Sequence, residues 1–174
     1  MINDLGEYLK TTDAFQIGAN VSNINQAEND MRIILEDVIS RETSLPPRVK
    51  SALINNIISI QEEIDGRQAI SIGFNREQVH RDSLYAQGYP EGADIDVLYN
   101  NGWHAKNYVY GRNTQGFPIK SKKDFNTTDF IRRAVRECAT QLGVDEKYFY
   151  VNDIYDFYSP YHKTTYGIGN YIEG

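Results

Sequence analysis

The stretch Ala69-Ile70-Ser71-Ile72-Gly73-Phe74 alternates apolar side chains with small or polar ones. A period of two residues is typical of a β-strand that buries one face. We therefore predict a strand over residues 69–74 with one face directed into the core. This strand marks the point at which the helical spacing of the preceding residues ends.

Before this strand, apolar residues recur at steps of three and four, which places them on one side of a helix. Asn23 or Asn25 would cap the first helix. Its apolar stripe consists of Ile24, Ala27, Met31, Leu35 and Val38. A second helix is predicted to begin at Ser44-Leu45-Pro46-Pro47, because proline is tolerated in a first helical turn, and to end at Gly66. Its stripe consists of Val49, Leu53, Ile57, Ile60 and Ile64.

The residues after the strand are predicted to form a long protruding loop. Residues 76–93 are polar and rich in turn formers, with Gln87-Gly88-Tyr89-Pro90-Glu91-Gly92 at their centre. The next apolar segment, residues 95–99, runs into Asn100-Asn101-Gly102-Trp103 and is typical of either a strand or a short helix closed by a turn. Residues 107–110 predict a short strand.

A third helix is predicted with Thr127 or Thr128 as its cap, Asp129 in its first turn and Gly143 at its end. Its stripe consists of Phe130, Ala134, Val135, Cys138 and Leu142. Because the strands cluster after the first two helices without β-α-β alternation, the predicted fold class is α+β, with helices packed on a small, mainly antiparallel sheet. The predicted core is Met31, Leu35, Val38, Leu53, Ile57, Ile60, Ile70, Ile72, Phe74, Val97, Val135 and Leu142.

The length of 174 residues fits one domain. We interpret residues 1–21 as a polar N-terminal arm, residues 22–143 as the single α+β domain, and residues 144–174 as a Tyr-rich C-terminal extension. The extension holds seven of the thirteen tyrosines in the chain. Tyrosine joins a rigid apolar ring to a polar end, which suits surfaces that meet other proteins. The composition therefore favours an interaction protein.

Charge and composition argue against several classes of protein. The formal net charge is -6 and the pI is near 5.1, which disfavours a protein that coats nucleic acid, because that affinity comes mainly from neutralised phosphates. No window approaches the roughly 20 apolar residues of a membrane helix, and the first seven residues do not resemble a signal peptide. The single Cys138 excludes an internal disulfide and a cysteine-based zinc site, so we expect a reducing interior.

The candidates for catalysis are three isolated histidines, His80, His104 and His162. None is spaced from another for metal binding on a helix, and no nucleotide-binding glycine pattern occurs. With neighbouring acids these histidines could serve acid-base chemistry in a hydrolase or nuclease, but surface histidines in loops are the favoured interpretation. We therefore predict no catalytic residue, no metal site and no cofactor.

Positive charge is concentrated in one place, the run Lys120-Ser121-Lys122-Lys123 followed by Arg132, Arg133 and Arg136 on the third helix. Such a run could contact DNA phosphate or an acidic partner. A solvated loop and helix face is the more common explanation of such a run.

The order of these parts resembles that of the small neck proteins of tailed bacteriophages, which complete the tail or join the head to it. In that family an apolar strand runs into an aromatic-Gly segment and is followed by a closing helix with a Phe near its start. Residues 98–103 and Phe130 occupy those places here. The resemblance covers about residues 24–143, and the Tyr-rich end after Gly143 has no counterpart in it.

The resemblance implies a non-enzymatic structural virion protein that forms a homo-oligomeric ring. Such a ring would join the portal-side connector or adaptor to the tail, with DNA passing through it and no membrane involved. The expected location is the neck of the virion, after synthesis in the host cytoplasm. The expected interface residues are aromatic: Tyr89, Trp103, Tyr108, Tyr110, Tyr155, Tyr158, Tyr161, Tyr166 and Tyr171.

Two alternatives from other classes remain open at this point. One is a small phage or bacterial hydrolase or nuclease that uses the loop histidines. The other is a host-directed binding protein, which the acidic, Tyr-rich composition would also suit.

Overall fold

The computed structural model describes residues 13–18, 22–64, 66–83, 94–155 and 165–166, with the backbone alone at residues 13, 104–110, 120–125 and 165–166. The helices of this part are α1 (Ile24–Arg41), α2 (Pro47–Asn55), α3 (Arg76–Asp82), α4 (Ile95–Asn101) and α5 (Phe130–Leu142). Its strands are β1 (Asp13–Ile17), β2 (Ile57–Ile64), β3 (Arg67–Phe74), β4 (Trp103–Arg112), β5 (Pro118–Phe125), β6 (Phe149–Val151) and β7 (Thr165–Tyr166). The predicted α+β class is confirmed.

The first sheet has the strand order β2-β3-β1-β6, and all neighbouring strands in it are antiparallel. β2 and β3 form a hairpin paired from Ile57↔Phe74 to Ile64↔Arg67. Gly66 lies in the turn with a φ of 77°, a conformation that glycine adopts without strain. The long β2–β3 pairing therefore follows from a turn that only a few residue types make easily.

The second sheet has the order β5-β4-β7, with β4 and β5 antiparallel and β7 parallel to β4. Asn113 organises the turn between β4 and β5, since its side-chain oxygen accepts hydrogen bonds from the backbone N–H groups of Gln115 (2.9 Å) and Phe117 (3.0 Å). Gly116, with a φ of 84°, completes the turn.

The core lies between the first sheet and the helices α1 and α5, which pack against each other and against its strands. Phe15 and Ile17 of β1 pair with Ile72 and Ile70 of β3, so these four side chains share one face of the sheet, and all are buried. Each such side chain stabilises the fold by about 1.5–3 kcal/mol relative to exposure. The periodicity of α1 is confirmed, including the cap, since the Asn23 side chain accepts from the N–H of Gln26.

The second predicted helix is wrong beyond residue 55. α2 ends at Asn55, and the isoleucine-rich residues 57–64 form β2 instead. Isoleucines at 57, 60 and 64 fit helical spacing, but β-branched side chains favour a pleated strand, and the turn at Gly66 aligns this segment with β3. Ile57 is buried as predicted, whereas Ile60 is exposed, because its side chain stands on the face of β2 away from α1.

Both predicted domain boundaries also need correction. β1, placed in the arm by sequence, is an inner strand of the first sheet, between β3 and β6. β6 and the buried Tyr155 lie beyond Gly143 and belong to the same core. Strands of five and three residues are too short to show a period, so their contribution to the core depends on contacts that sequence spacing does not reveal.

The middle of the chain is more ordered than predicted. Residues 76–82 form α3 rather than a loop, with the Asn75 side chain capping it through the N–H of Gln78; residues 84–93 lie outside the described part. Residues 95–101 take the helical alternative, as α4. The strand predicted at 69–74 is confirmed within β3, but residues 69–74 are buried on both faces rather than one. The residues on the second face, Ala69, Ser71 and Gly73, are small, and the Gln16 side chain donates to Ser71 Oγ there at 2.9 Å.

Candidate functional site

The β4–β5 hairpin forms a unit of its own beside the main sheet. Among the described elements, its two strands contact mainly each other and β7. A ten-residue strand such as β4 spans about 33 Å. At the far end, Phe117 is 65% exposed and Ile119 is 48% exposed. The hairpin therefore carries an apolar tip whose side chains this part of the chain leaves uncovered.

The hairpin is fixed at its base by Trp103, the first residue of β4. Its side chain is fully buried and meets the Tyr99 ring edge to face, with the ring centroids 6.4 Å apart. Gly102 joins α4 to β4 with a φ of 87°, which a residue with a β-carbon adopts only with strain. All seven residues of α4 are buried, so the hairpin begins from a rigid base.

Asn100 and Asn101 link the two ends of the hairpin by hydrogen bonds. The Asn100 side-chain oxygen accepts from the N–H of Ile131 at 3.0 Å, and its amide donates to Asn101 Oδ1 at 2.7 Å. The hydroxyls of Thr127 and Thr128 donate to the backbone oxygens of Asn101 (2.6 Å) and Tyr99 (2.9 Å). We call residues 99–101, 127 and 128 the hairpin clamp.

The hairpin clamp corrects the predicted cap of the third helix. The residue before α5 is Asp129, which has a left-handed φ of 55°, and its side chain makes no capping hydrogen bond. Thr127 and Thr128 bind the end of α4 instead. Asn100, far away in sequence, satisfies one of the first N–H groups of α5. The predicted body of the helix and its end at Gly143 are confirmed, with Gly143 at a φ of 66°.

A buried ionic cluster of Arg76, Asp96 and Tyr155 lies next to the hairpin clamp. Arg76 Nε donates to Asp96 Oδ1 at 3.1 Å and Nη2 donates to Oδ2 at 3.2 Å. The Tyr155 hydroxyl donates to the same carboxylate, which is fully buried. Asp94 lies 4.0 Å from Arg76. Charge-assisted, two-point pairing of this kind fixes α3, α4 and the residues after β6 in one arrangement.

Burial and neighbouring charges shift the pKa values in this cluster. Desolvation, and then the Asp96 carboxylate, raise the pKa of Tyr155 well above its ordinary value. Burial also raises the pKa of Asp94. Desolvation opposes the charge of Arg76, but Asp96 outweighs it, so the guanidinium pKa is raised. Arg76 therefore stays charged beside a neutral Tyr155 phenol, and both side chains make their hydrogen bonds to Asp96 inside the fold.

A second uncovered apolar surface lies on β2, an edge strand of the first sheet. Ile58 is 44% exposed and Ile60 is 47% exposed. On the other face of β2, Ser59 Oγ donates to Glu28 at 2.7 Å and Gln61 Nε2 donates to it at 2.9 Å, and these bonds lower the Glu28 pKa. One face of β2 is thus held by α1, while the other presents isoleucines.

The predicted interface residues fall into three groups. Trp103 and Tyr155 are fully buried, so the prediction that they contact another chain is wrong for this fold: their rings are already enclosed. Tyr108 and Tyr110 lie in β4 and Tyr166 lies in β7. The remaining predicted residues lie outside the described part of the chain: Tyr89, Tyr158, Tyr161 and Tyr171.

Sequence reasoning missed the four exposed apolar residues on β2 and at the hairpin tip. The available signals were an aromatic residue, Phe117, directly after a turn-forming Asn-Thr-Gln-Gly sequence, and the even-numbered isoleucines that precede Glu62 in β2. Both signals require that the segment be recognised as a strand. The helical interpretation of residues 57–64 concealed the second of them.

The residues considered for catalysis are dispersed. His80 lies on α3 and His104 in β4, while His162 lies outside the described residues. Within the described residues no group of three or more His, Cys, Asp or Glu side chains is placed to hold a metal ion. Cys138 is buried as predicted, and burial raises the pKa of its thiol to about 12.

The basic run is divided between two elements. Residues 120–123 lie in β5 rather than in a loop, and Arg133 on α5 pairs with Glu42. A groove of ≈ 430 Å³ lies between the start of α1 and the end of α5, where Gln26 donates to Asp30 at 2.8 Å. Of the helices described, none has the length and apolar character needed to cross a bilayer.

Comparisons with known proteins gave no match to a family model, to a curated protein or to a solved structure. Function is therefore inferred from the surfaces of this chain.

Proposed function

We propose that this chain is a structural virion protein of a tailed bacteriophage, a ring-forming neck subunit that completes the tail or connects the head to it. The observation that carries the proposal is the clamped β4–β5 hairpin with its exposed tip at Phe117 and Ile119. A ring subunit needs two different surfaces that fit each other, because head-to-tail contacts close into a ring. The hairpin tip and the outer face of β2 are two different apolar surfaces that the described residues leave exposed.

The rigid base of the hairpin supports a structural role. A projecting element serves assembly only if it keeps its direction, since ordering a flexible arm costs conformational free energy on binding. Here Trp103, the hairpin clamp and the Arg76–Asp96 pair connect the base to α3, α4 and α5. The partners in this proposal are other copies of the chain, the portal or adaptor protein and the tail.

The net charge of -6 fits a ring through which DNA passes without being bound in a sequence-specific way. Like charges on the ring and the phosphates disfavour adhesion and permit sliding. The proposal needs neither a cofactor nor a catalytic residue of this chain.

The experiment that tests the function is disruption of this gene in the phage genome that carries it. We expect filled heads and finished tails to accumulate separately in the lysate, and purified wild-type protein to restore joining and infectivity. A phage with the same gene disrupted and complemented from a plasmid is the control. Normal joined particles in the disrupted phage, or the absence of the protein from purified virions, would contradict the proposal.

A further inference from the structure

We propose that the subunits join by β-sheet extension, with β5 of one copy pairing in parallel with the free edge of β2 of the next copy. This inference rests on the proposed function, since it names the surfaces by which the ring closes. The occupant of the β2 edge is thus a second copy of the same chain. The two strands belong to different sheets, so each subunit offers one donor and one acceptor.

The β2 edge is partly protected at its ends, since Arg32 donates to the backbone oxygen of Ile57 at 3.1 Å and the strand carries Glu62 and Glu63, but several other features that protect an edge strand are missing. Among the described residues no strand pairs with β2 on the side away from β3. β2 is eight residues long, regular in its pairing with β3, and contains neither proline nor lysine. Ile58 and Ile60 are exposed on it. Edge strands that stay single are shortened, bulged or given lysine or proline, so this edge is suited to a partner strand.

The β5 strand matches β2 in length and in charge. It also has eight residues and, among the described strands, lies at an edge of the second sheet. Its sequence, Pro-Ile-Lys-Ser-Lys-Lys-Asp-Phe, carries three lysines and one aspartate, whereas β2, Ile-Ile-Ser-Ile-Gln-Glu-Glu-Ile, carries two glutamates and no basic residue. Lysines on an edge discourage pairing with most strands, yet they favour an acidic one. The opposite net charges of the two strands therefore favour β2 of another copy as the partner of β5.

The order of residues decides the direction of pairing. In a parallel arrangement with the strand starts aligned, positions 58, 60 and 62 (Ile, Ile, Glu) lie beside positions 119, 121 and 123 (Ile, Ser, Lys). In the antiparallel arrangement of the same span, Ile58 lies beside Asp124 and Ile60 lies beside Lys122. Glu62 lies beside a lysine in either arrangement, Lys123 or Lys120, and the parallel arrangement also places Glu63 beside Asp124. We choose the parallel arrangement because it alone places an apolar residue beside Ile58.

The geometry of one chain makes the contact head-to-tail. β2 belongs to the first sheet and β5 to the projecting hairpin, so a hairpin docked on a neighbour leaves the neighbour's own hairpin free for a third copy. Contacts of this type continue until they close on themselves. The exposed Phe117, next to β5, would then add apolar area at the same boundary.

Cross-linking with a short bis-maleimide tests the pairing directly. Chains carrying Ile58→Cys and Ile119→Cys are mixed in equal amounts, and we expect a linked dimer joining positions 58 and 119. The wild-type chain is the first control, because its only cysteine, Cys138, is buried. Ile33→Cys is the matched second control: Ile33 lies on α1 and is exposed to a similar degree, 52%. A 58–124 link, tested with Asp124→Cys, or a 58–58 link would overturn the proposal.

A mixing experiment tests the head-to-tail arrangement. The double variant Ile58→Asp/Ile60→Asp disrupts the acceptor edge on β2, and Ile119→Asp disrupts the donor strand β5. We expect each variant alone to form no ring. When mixed, the two variants retain one intact donor and one intact acceptor, so we expect a one-to-one dimer and no larger species by native mass spectrometry. Since these positions are exposed, circular dichroism should show unchanged folding.

The outcomes separate this inference from the proposed function. Rings that persist in both aspartate variants, without a 58–119 link, would overturn β2–β5 pairing and leave the neck function standing. A wild-type chain that stays monomeric at every concentration, alone and with virion neck components, would overturn the pairing. Absence of the protein from virions would overturn the function itself.

Discussion

Asn100 on α4 caps α5 through the backbone N–H of Ile131, at 3.0 Å, although the two residues are 31 positions apart in sequence. The whole β4–β5 hairpin lies between them. The same asparagine donates to Asn101 and accepts, through its backbone oxygen, from the N–H groups of Thr128 and Asp129. The buried Asn100 thus joins the two ends of the β4–β5 hairpin, and the proposed interface lies at the other end of that hairpin.

Asn100→Ala is expected to lower the free energy of unfolding by about 1–3 kcal/mol, because it removes the buried hydrogen bonds that Asn100 makes with the Ile131 N–H and with Asn101 Oδ1. Urea unfolding followed by circular dichroism measures the change. Asn29→Ala is the matched control, since Asn29 is exposed on α1 and its replacement should stay within about 0.5 kcal/mol. Equal effects of the two variants would contradict the role given to Asn100.

Gly102→Ala is expected to destabilise the chain by about 1–2 kcal/mol, because its φ of 87° strains any residue with a β-carbon. Gly111→Ala provides the control: an added β-carbon there meets nothing within 4 Å, and no left-handed φ is required. Thermal unfolding of both variants gives the comparison. A Gly102 variant as stable as the Gly111 variant would show that the α4–β4 junction tolerates other conformations.

Tyr155 gives the chain an alkaline limit of stability. Its pKa is raised in the folded state by burial and by Asp96, so the phenol stays protonated while that of the unfolded chain ionises above about pH 10. The stability that the buried, protonated phenol contributes is fully present below about pH 10 and is lost as the pH rises toward the raised pKa of the folded state. Tyr155→Phe should flatten the fall in stability between pH 9 and 11, measured by urea unfolding, whereas Tyr148→Phe, at an exposed site, should leave the slope unchanged.

Asp96→Asn removes the fully buried carboxylate that pairs with Arg76 and leaves the guanidinium only the more distant Asp94, at 4.0 Å. Breaking one side of a buried pair costs about 3–5 kcal/mol, so we expect unfolding at markedly lower urea concentration. Asp37→Asn is the control, because its pair with Arg41 is more than half exposed and such pairs contribute little. A loss below about 1 kcal/mol at Asp96 would mean that water reaches the cluster.

Phe117→Ser is expected to leave the free energy of unfolding within about 0.5 kcal/mol, since the ring is mostly exposed, while weakening self-association. Sedimentation velocity of the variant and of wild type at matched concentrations measures the effect. Tyr148→Ser changes an exposed aromatic near β6 and should preserve assembly. The same sedimentation profile for all three chains would exclude the hairpin tip from the interface.

The elements visible in the sequence were those with long, regular spacing. α1, α5 and the strand within β3 each repeat their pattern over six or more residues, and all three were predicted. β2 was taken for helix because isoleucines at 57, 60 and 64 fit helical spacing, and it is the pairing with β3 that makes this segment a strand. β1 and β6 are too short to carry a pattern.

The polar interior was the least predictable part. The sequence gives no sign that Asp96 meets Arg76 and Tyr155, which lie 20 residues before it and 59 residues after it. Thr127 and Thr128 had the composition of helix caps, but their hydroxyls bind the end of α4. Contacts over such separations depend on the packed sheet, so local chemistry predicts the residue types and not their partners.

The late position of Tyr155 has a consequence for synthesis on the ribosome. A nascent chain that has emerged only as far as Gly143 lacks β6 and the phenol that binds Asp96. β1 is synthesised earlier, so one of its edges stays unpaired until residues 149–151 have been synthesised. Final closure of the core is therefore delayed until the C-terminal part is made, which keeps incomplete chains from presenting a finished hairpin base to their neighbours.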